Sequence, residues 1–421
     1  VIMNNQNFDI HIIGGGIIGL TTAVTLQARG VKVVLLEADE ICKGTSSGNA
    51  GHLATEQVFP VADASMLRHI PAMLLDPTGP LRLDWRYLPR LMPWAFQLLL
   101  NMRTEPFDRI HKSILNLNQS SLEAWQNFST QFELKQWVHT SGSLLTIEQP
   151  TKLSILTGYG KRLNDVGVLN HPLTKDEIAE HEPALKNDNL DALYFSKTGH
   201  FTNLQAIHDS LAATFRQLGG HVIEQCRVLE ALPSENGVHL KTNQGDMIAK
   251  KVVLSAGAYS KALAKQLTGI KVPLDTERGY HLMLPHESAR LNMSVSSLDR
   301  HFIMTPMEKG LRLAGTVEYA GLDAPPNMQR AHKLLQHAQP MLKEPLNTDD
   351  SVPWMGFRPT TVDSLPVIDR IGPVFLNFGH HHLGLTQSVV SARMIAEYYF
   401  NDLHTVDPTA YKIDRFKKKA H

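Results

Sequence analysis

Near its start, the chain shows a strand, turn, helix, strand pattern of hydrophobic residues without interruption. An apolar run at residues 10–13 ends in glycines, a helical run occupies residues 17–29, and a second apolar run covers residues 31–36. Short apolar runs bounded by turn residues are typical of buried strands, and the longer run between them has the length of a helix. The pattern therefore predicts a βαβ unit.

The rest of the chain alternates between helical and extended patterns. Helices are expected at residues 113–132, 151–166, 175–181, 203–218, 329–342 and 385–400. Strands are expected at residues 137–139, 143–147, 221–224, 227–232, 238–242, 247–254, 280–284, 302–305, 311–314 and 374–378. We find no internal repeat that would indicate a repeat architecture.

The turn of the βαβ unit carries a G-x-G-x-x-G motif. Gly14, Gly16 and Gly19 permit a tight turn and close approach of the backbone to a pyrophosphate, which the free N–H groups at the helix start would face. Glu37 follows the second run, where a carboxylate accepts hydrogen bonds from a ribose diol. Together these features predict a dinucleotide site, compatible with NAD and FAD alike.

A polar loop follows the second apolar run. Residues 38–54 break all periodicity and are rich in Gly, Ser, Thr and Asn. Side chains such as Thr45, Ser46 and Asn49 can hydrogen-bond phosphate or sugar oxygens, and the small residues 50–51 let the backbone approach a flat ring. After such a motif, we expect this loop to lie over the ligand.

Composition limits the classes of function. Lys plus Arg and Asp plus Glu both total 41, so no net charge attracts the chain to nucleic acid. Cys42 and Cys226 are the only cysteines, which argues against a disulfide framework or a cysteine-based metal site and favours a reducing, cytoplasmic compartment. No apolar run reaches the length of a membrane span, and we interpret no segment as a signal peptide.

One segment raises the question of a membrane contact. Residues 66–103 are rich in Pro, Leu and Arg, and apolar residues recur at helical spacing between residues 88 and 99. A helix that faces the core is the interpretation we favour. The alternative is a partly exposed apolar face, flanked by arginines, that lies on a membrane surface or on a partner.

Four separated motifs resemble, in order, those of the FAD-dependent amino-acid oxidoreductases of the D-amino-acid dehydrogenase and glycine oxidase superfamily. They are GGGIIG with Glu37, TSSGNAG at residues 45–51, VVLSAGAYS at residues 252–260, and GFRPTTVDSLPVI at residues 356–368 followed by NFGHHHLGLTQS at residues 377–388. The resemblance covers nearly the whole chain. The NAG sequence and the G-H-x-x-L-G-x-T spacing look more like the D-amino-acid dehydrogenases than the glycine oxidases.

The resemblance implies an α/β fold with a Rossmann-like FAD-binding domain and a second, α+β substrate domain built on an antiparallel sheet. The FAD-binding domain would be discontinuous and comprise residues 1–60, 200–272 and 350–421. The substrate domain would comprise residues 61–199 and 273–349. FAD would be held noncovalently, because neither cysteine matches an attachment position of the family.

The resemblance also assigns FAD contacts along all four motifs. The glycine turn would hold the pyrophosphate, Glu37 the ribose and the backbone of Val228 the adenine, while residues 50–53 would follow the isoalloxazine. Residues 379–385 would bring a helix N-terminus to the flavin, where its dipole stabilises the negative charge of the reduced ring. The expected FAD contacts are Gly14, Gly16, Ile17, Ile18, Gly19, Glu37, Ala38, Thr45, Ser46, Asn49, Ala50, Gly51, Leu53, Val228, Ala256, Gly257, Gly379, His380, Gly384, Leu385 and Thr386.

Three residues are candidates for catalysis. Arg358 matches the family's arginine for the substrate carboxylate, which a guanidinium binds through two parallel hydrogen bonds; a structural ion pair is the alternative. Tyr280 matches a substrate-facing aromatic, and a core tyrosine is nearly as good an interpretation. His52 would lie near the reactive flavin nitrogen, whereas His200 could face the cleft or be buried. No metal site is expected, because the consecutive histidines at residues 380–382 point in different directions.

The implied reaction is oxidation of the C–N bond of an amino acid, most simply a D-amino acid, to an imino acid that hydrolyses to a 2-oxo acid and ammonia. Quinone or oxygen would accept the electrons. The alternatives are oxidation of a secondary amine (sarcosine, proline or hydroxyproline) or of a 2-hydroxy acid, and a flavin-binding subunit without catalysis. Members of the subgroup are often membrane-associated, so residues 66–103 are candidates for peripheral contact with the inner face of the plasma membrane. The oligomeric state stays open.

Overall fold

A computed structural model describes residues 2–3, 7–60, 79–186 and 188–417. The strands are β1 (Ile2–Met3), β2 (Ile10–Ile13), β3 (Val33–Leu36), β4 (His52–Leu53), β5 (Leu81–Leu83), β6 (Val138–His139), β7 (Ser143–Ile147), β8 (His171–Leu173), β9 (Asp191–Phe195), β10 (Gly199–Phe201), β11 (His221–Ile223), β12 (Val228–Ser234), β13 (Gly237–Thr242), β14 (Gly245–Ala249), β15 (Val252–Leu254), β16 (Leu274–Leu284), β17 (Ser294–Ser297), β18 (Phe302–Met307), β19 (Gly310–Tyr319), β20 (Val352–Thr361), β21 (Val367–Ile371) and β22 (Val374–Phe378). The helices are α1 (Ile17–Ala28), α2 (Leu88–Asn101), α3 (Thr104–Gln131), α4 (Leu153–Asp165), α5 (Lys175–His181), α6 (Leu204–Gln217), α7 (Ser260–Thr268), α8 (Gln329–Ala338) and α9 (Gly384–Phe400).

The predicted βαβ unit lies in the middle of a six-stranded sheet. The strand order is β11-β3-β2-β15-β22-β21, and all neighbours are parallel except β22 and β21. Both faces of its central strands are buried: Ile10 and Ile12 pack with α1 and α9, whereas Ile13 packs with α7 on the other side. Strands covered on both faces read as continuous apolar runs, which is why the sequence pattern was clear here.

A four-stranded sheet, β1-β14-β13-β12, covers the second face of the six-stranded sheet. The prediction of a single strand over residues 247–254 is wrong. Its first part belongs to β14 in the small sheet and its last part to β15 in the six-stranded sheet. Lys250 and Lys251, which are not buried, separate the two strands and mark the place where the chain changes sheets.

The second large sheet has nine strands and is antiparallel except at two pairs. Its order is β20-β16-β19-β18-β17-β7-β9-β8, with β5 beside β19. The parallel pairs are β17 with β7 and β19 with β5. One face packs its apolar residues, including Leu282, Leu284 and Leu313, against α8. Strand β20, which the sequence placed with residues 350–421 of the FAD-binding domain, pairs along the whole of β16 in this sheet.

Helix α2 contradicts the interpretation that its apolar residues face the core. Leu91 and Trp94 are buried, but Met92, Phe96 and Leu99 are 53%, 60% and 48% exposed. Residues 66–78 of the candidate membrane segment lie outside the described residues. None of the helices described has both the length and the apolar character needed to span a membrane.

Candidate active site

A cavity of about 600 Å³ runs from the glycine turn of the βαβ unit to strand β20 and the start of α9. Cavities of this size bind drug-sized and cofactor-sized molecules. Sixteen of the residues expected to contact FAD line it: Gly14, Gly16, Ile17, Ile18, Glu37, Ala38, Thr45, Ser46, Asn49, Val228, Ala256, Gly257, Gly379, His380, Gly384 and Leu385. Five segments that are distant in sequence therefore meet at one site.

The glycine turn is held by contacts that leave no room for side chains. Gly14 has φ of 105°, and a Cβ atom there would lie 2.5 Å from the carbonyl oxygen of Ser255. A Cβ atom on Gly19 would lie 1.9 Å from the carbonyl oxygen of Gly14. Gly19 is not among the residues that line the cavity, so its role is to let α1 pack against the turn.

The polar loop reaches the same turn. The hydroxyl of Ser46 accepts a hydrogen bond from the Ile17 N–H at 2.9 Å, and the Glu37 carboxylate accepts one from the Gly15 N–H at 2.6 Å. Both acceptors satisfy backbone N–H groups at the start of α1, where anions are favoured. The loop and the end of β3 therefore present oxygen atoms and backbone N–H groups along one wall of the cavity.

Four expected contacts lie behind the loop or the helix start instead of lining the cavity. Leu53 is fully buried in the core, and the Thr386 hydroxyl accepts a hydrogen bond from the Ala54 N–H at 3.0 Å. Gly51 packs against Met307, where a Cβ atom would lie 2.5 Å from the terminal methyl carbon. These residues and Ala50 support the wall from behind, because the chain turns into β4 at this point.

Arg312 also supports the loop, and sequence reasoning missed it. Its Nη1 atom donates hydrogen bonds to the carbonyl oxygens of Ser47 and Asn49, and burial lowers its pKa to about 10. In the sequence, Arg312 stands between Leu311 and Leu313 in a predicted strand. This position could have indicated a specific role, since charged residues are rarely buried without one.

The start of α9 offers unpaired polar atoms to the cavity. Asn377 Oδ1, His380 Nε2 and His381 Nδ1 are buried and have no hydrogen-bond partner among the described residues, and all three residues line the cavity. Buried polar atoms without partners mark a place where a polar ligand is expected. Burial lowers the pKa of His380 and of His381 to about 3, so the positive potential here comes from the helix dipole and not from charged imidazoles.

Arg358 lies beside the cavity, on the same face of β20 as Trp354 and Gly356, which line it. Its guanidinium extends over Gly279 of β16, where a Cβ atom would lie 2.4 Å from Arg358 Cζ. The guanidinium has no ion pair within 4 Å and no hydrogen bond in the part of the chain that the structure describes. Burial lowers its pKa, and the nearby Glu277 carboxylate opposes that shift.

Tyr280 is a core residue, so its predicted role facing the substrate is wrong. Successive residues of a strand point to opposite faces, and Tyr280 lies on the face of Leu282 and Leu284, opposite to Gly279. Its hydroxyl donates to Glu318 Oε2 at 2.5 Å. The alternating apolar residues at 280, 282 and 284 were the signal that could have shown this.

His52 is buried, and both of its ring nitrogens have partners. Nδ1 lies 3.0 Å from the Gly199 carbonyl oxygen and Nε2 lies 2.8 Å from Glu56 Oε1. Burial opposes a charge, but the Glu56 carboxylate and the Gly199 carbonyl together raise the pKa of His52. Both ring nitrogens therefore have acceptors within hydrogen-bond distance, which does not leave a nitrogen free to accept a proton from a substrate.

His200 follows the buried alternative. It is paired with His52 across β10 and β4, and its ring stacks on that of His139 at a centroid distance of 5.3 Å. Burial lowers its pKa to about 3. No cluster of metal-ligating side chains occurs among the residues described, including the histidines at residues 380–382.

The family model for FAD dependent oxidoreductases (DAO) matches residues 9–398. The chain belongs to this family. It is 30% identical to a D-amino-acid oxidase of Bradyrhizobium diazoefficiens over 92% of this chain and 94% of the relative. It is 29% identical to a D-amino acid dehydrogenase of Pseudomonas aeruginosa over 95% of this chain and 97% of the relative.

Solved structures show the same fold. The glycine oxidase of Geobacillus kaustophilus superposes with a TM-score of 0.75 at 19% identity and covers 98% of this chain and 99% of its own. The L-proline dehydrogenase of P. horikoshii has a TM-score of 0.71 at 17% identity, over 99% and 98% of the two chains. The predicted fold class and the choice of FAD over NAD are thereby confirmed.

The cavity of this family member fits FAD. Its glycine turn and the start of α1 line one end, where a pyrophosphate would lie, and Glu37 lies at the end of β3, where the family's adenosine ribose would bind. The unpaired atoms at Asn377 and His380 provide polar contacts at the other end. Trp354, Phe357 and Tyr259 add aromatic surface that sequence reasoning did not identify. Tyr259 and Phe357 lie inside two of the four motifs and Trp354 lies two residues before one of them, but the motifs gave no sign of the direction of these side chains.

Proposed function

We propose that the protein oxidises the C–N bond of an α-amino acid, with a D-amino acid as its preferred substrate, to an imino acid that hydrolyses to a 2-oxo acid and ammonia. The observation that carries this proposal is the guanidinium of Arg358, which lies beside the FAD cavity without a partner among the described residues. Relatives along nearly the full chain are named D-amino-acid oxidase and D-amino acid dehydrogenase, which supports the substrate class and stereochemistry.

The residues around the cavity have different roles in this reaction. Arg358 binds the substrate carboxylate through two parallel hydrogen bonds and so fixes the direction of the Cα–H bond. FAD, when bound, accepts the pair of electrons from the substrate. The α9 N-terminus stabilises negative charge at that end of the cavity, and the buried, uncharged side chains of His380 and His381 exclude water.

FAD is held without a covalent bond in this proposal. Cys42 and Cys226 both line the cavity and are buried. The Cys42 thiol donates a hydrogen bond to the Gly15 carbonyl oxygen at 3.2 Å, and burial raises its pKa well above the usual value. A thiol that is kept protonated is a poor nucleophile, so a thioether to the flavin is not expected.

The electron acceptor is a quinone or oxygen, and we propose peripheral contact with the inner face of the plasma membrane. Helix α2 presents Met92, Phe96 and Leu99 to solvent. Arg90 and Arg103, both exposed, lie on the same segment. An apolar stripe flanked by arginines is the pattern that binds anionic lipid surfaces.

Anaerobic titration of the purified yellow protein tests the substrate class. D-amino acids are expected to bleach the flavin absorbance faster than L-amino acids, N-methyl amino acids, proline or 2-hydroxy acids. Faster bleaching by an N-methyl amino acid or a hydroxy acid would assign the protein to that substrate class. A panel that bleached nothing would favour a flavin-binding subunit without catalysis. Adding oxygen or a quinone analogue to the reduced protein then identifies the acceptor.

A further inference from the structure

A buried carboxylate lies next to Arg358 without contacting it. Glu277 of β16 is the direct cross-strand partner of Arg358 on β20, so the two side chains share one face of the sheet. Glu277 is only 2% exposed. No ion pair within 4 Å joins the two residues, and Glu277 Oε1 instead accepts a hydrogen bond from the Tyr319 hydroxyl at 2.8 Å.

The groups around Glu277 are unbalanced in charge. From β20 it meets Arg358 and the Thr360 hydroxyl, and from β19 it meets Tyr319. From its own strand it meets Asp275, whose two oxygens accept hydrogen bonds from the Tyr87 hydroxyl at 2.9 and 3.0 Å. Among the described residues, Arg358 is therefore the one guanidinium that acts on the Glu277 carboxyl, and Asp275 adds a negative charge beside it before any substrate is present.

Other charged groups act on the edges of this cluster. Lys261 acts on Asp275, and Arg90 acts on Tyr87. On the far side of Arg358, His382 is kept uncharged because burial lowers its pKa to about 3. None of these groups supplies a second buried cation at Glu277.

A substrate carboxylate bound to Arg358 adds another negative charge to this buried site. Like charges that share one cation at low dielectric do not all remain ionised, and one of them takes up a proton. Burial already raises the pKa of the Glu277 carboxyl, even though Arg358 and Tyr319 act in the opposite direction. Burial raises the pKa of the Asp275 carboxyl as well, but this carboxylate accepts hydrogen bonds from the Tyr87 hydroxyl through both oxygens and from the Thr276 N–H, which oppose its protonation.

We propose that Glu277 is a positioning residue of Arg358, and that its carboxyl group takes up one proton from solvent when a substrate carboxylate binds to Arg358. This inference rests on the proposed function, because it needs Arg358 to be the carboxylate site. Ionised Glu277 attracts the guanidinium electrostatically, without direct contact, in the free enzyme. Once Glu277 is protonated, its negative charge no longer offsets the positive charge of Arg358, and the guanidinium acts fully on the substrate carboxylate.

Calorimetric binding of a carboxylate to the FAD-loaded, oxidised protein tests the inference. Benzoate and pyruvate are suitable probes, because they offer a carboxylate without an amino group. Titrations near neutral pH in two buffers of different ionisation enthalpy give the number of protons taken up. We expect uptake of about one proton for each carboxylate bound. Over the pH range of this uptake, the affinity for the carboxylate should weaken by up to about tenfold for each unit by which the pH rises.

Matched variants assign the proton. Glu277→Gln keeps an acceptor for Tyr319 and should reduce the uptake to about zero and remove the pH dependence. Asp275→Asn should leave the uptake unchanged, since its carboxylate is held by Tyr87. Loss of the uptake in Asp275→Asn but not in Glu277→Gln would overturn the assignment.

The outcomes also separate this inference from the proposed function. If a probe perturbs the flavin absorbance of the wild-type protein but takes up no proton, the inference is wrong and Arg358 can still be the carboxylate site. If neither probe binds at any pH, the carboxylate site itself is wrong, and both proposals fall together. The wild-type measurement is decisive even if a variant fails to fold.

Discussion

Arg358 has a free guanidinium because the neighbouring strand carries a glycine where other residues would carry a side chain. At Gly279 a Cβ atom would lie 2.4 Å from Cζ of Arg358, which is closer than atoms approach without a shift. The arginine and the glycine therefore form one feature. The guanidinium of Arg358 can occupy this position only because Gly279 has no side chain.

Replacing Arg358 by alanine removes the proposed carboxylate site. We expect kcat/KM to fall by about a hundredfold or more, because charge-assisted hydrogen bonds contribute about 1.5–3 kcal/mol each. FAD content should stay unchanged, since Arg358 does not line the cavity. Steady-state kinetics and flavin absorbance measure both effects. Arg86→Ala, at an exposed position, is the control, and equal losses in the two variants would contradict the assignment.

Gly279→Ala should act through Arg358. The added methyl group displaces the guanidinium, so we expect KM to rise at least tenfold while the flavin spectrum is retained. Gly158→Ala is the matched control, because a Cβ atom on Gly158 has no neighbour within 4 Å. An unchanged KM in Gly279→Ala would show that the arginine does not need this space.

Sequence reasoning succeeded for residues whose role depends on the backbone and failed where it depends on side-chain direction. Gly14, Gly16 and Glu37 are fixed by the βαβ turn, and they were found from the motif alone. Tyr280 was misjudged, because one position along a strand decides whether a side chain faces the cavity or α8. The sequence around Glu277 and Gly279 gave no signal of a function. Their roles depend on Arg358, which lies on the neighbouring strand β20.

At the level of elements, helical periodicity predicted α2 but not which of its faces would be covered. Leu91 and Trp94 pack inward, and Trp94 Nε1 donates to the Thr360 carbonyl oxygen at 3.2 Å. The apolar residues of the outer face have no such cover, although their spacing in sequence is similar. Periodicity identifies an apolar stripe, but the width of the partner surface decides how much of that stripe is buried.

Vesicle binding tests the outer face of α2. We expect the protein to associate with vesicles that contain anionic lipid at low salt, and Met92→Glu with Phe96→Glu to reduce that association at least tenfold, because both changes introduce charge into the apolar stripe. Sedimentation with vesicles measures the bound fraction. Gln97→Glu, an exposed polar position of the same helix, is the control. Equal binding by all three proteins would contradict the membrane contact.

Across the part of the chain that the structure describes, burial lowers the pKa of seven imidazoles. Burial lowers the pKa of His11 to about 4. It lowers the pKa to about 3 for His200, His208, His281, His380, His381 and His382. In the unfolded chain an imidazole titrates near about 6.5, so below that pH the unfolded state binds protons that the folded state does not.

Stability should therefore fall steeply in mild acid. The contribution of these histidines is present above about pH 6.5 and is lost as the pH decreases, by up to about 1.4 kcal/mol per pH unit for each group. Urea unfolding at about pH 7.5 and about pH 5.5 measures the change. In His208→Leu, which removes one fully buried imidazole, the slope should decrease by about one proton. A free energy of unfolding that stayed constant over this range would contradict the prediction.

The separation in sequence between elements that pair explains which parts of the architecture were predictable. The resemblance carried by the four motifs predicted an α/β fold with a Rossmann-like domain and a second domain on an antiparallel sheet, and the two large sheets agree with it. The membership of β20 in the nine-stranded sheet was not predictable, since pairing with β16 brings together residues that are distant in sequence. Long-range pairing leaves little trace in a single sequence.

The six-stranded sheet has a consequence for the order in which the protein is made. The βαβ unit emerges from the ribosome before β15, β22 and α9, but β15 separates β2 from β22, and α1 packs against α9 through a hydrogen bond from Thr21 Oγ1 to the Ser388 carbonyl oxygen. The nascent chain therefore carries the glycine turn before it carries the elements that complete the site. Because the site needs β22 and α9, we expect FAD to bind only after these elements have been synthesised.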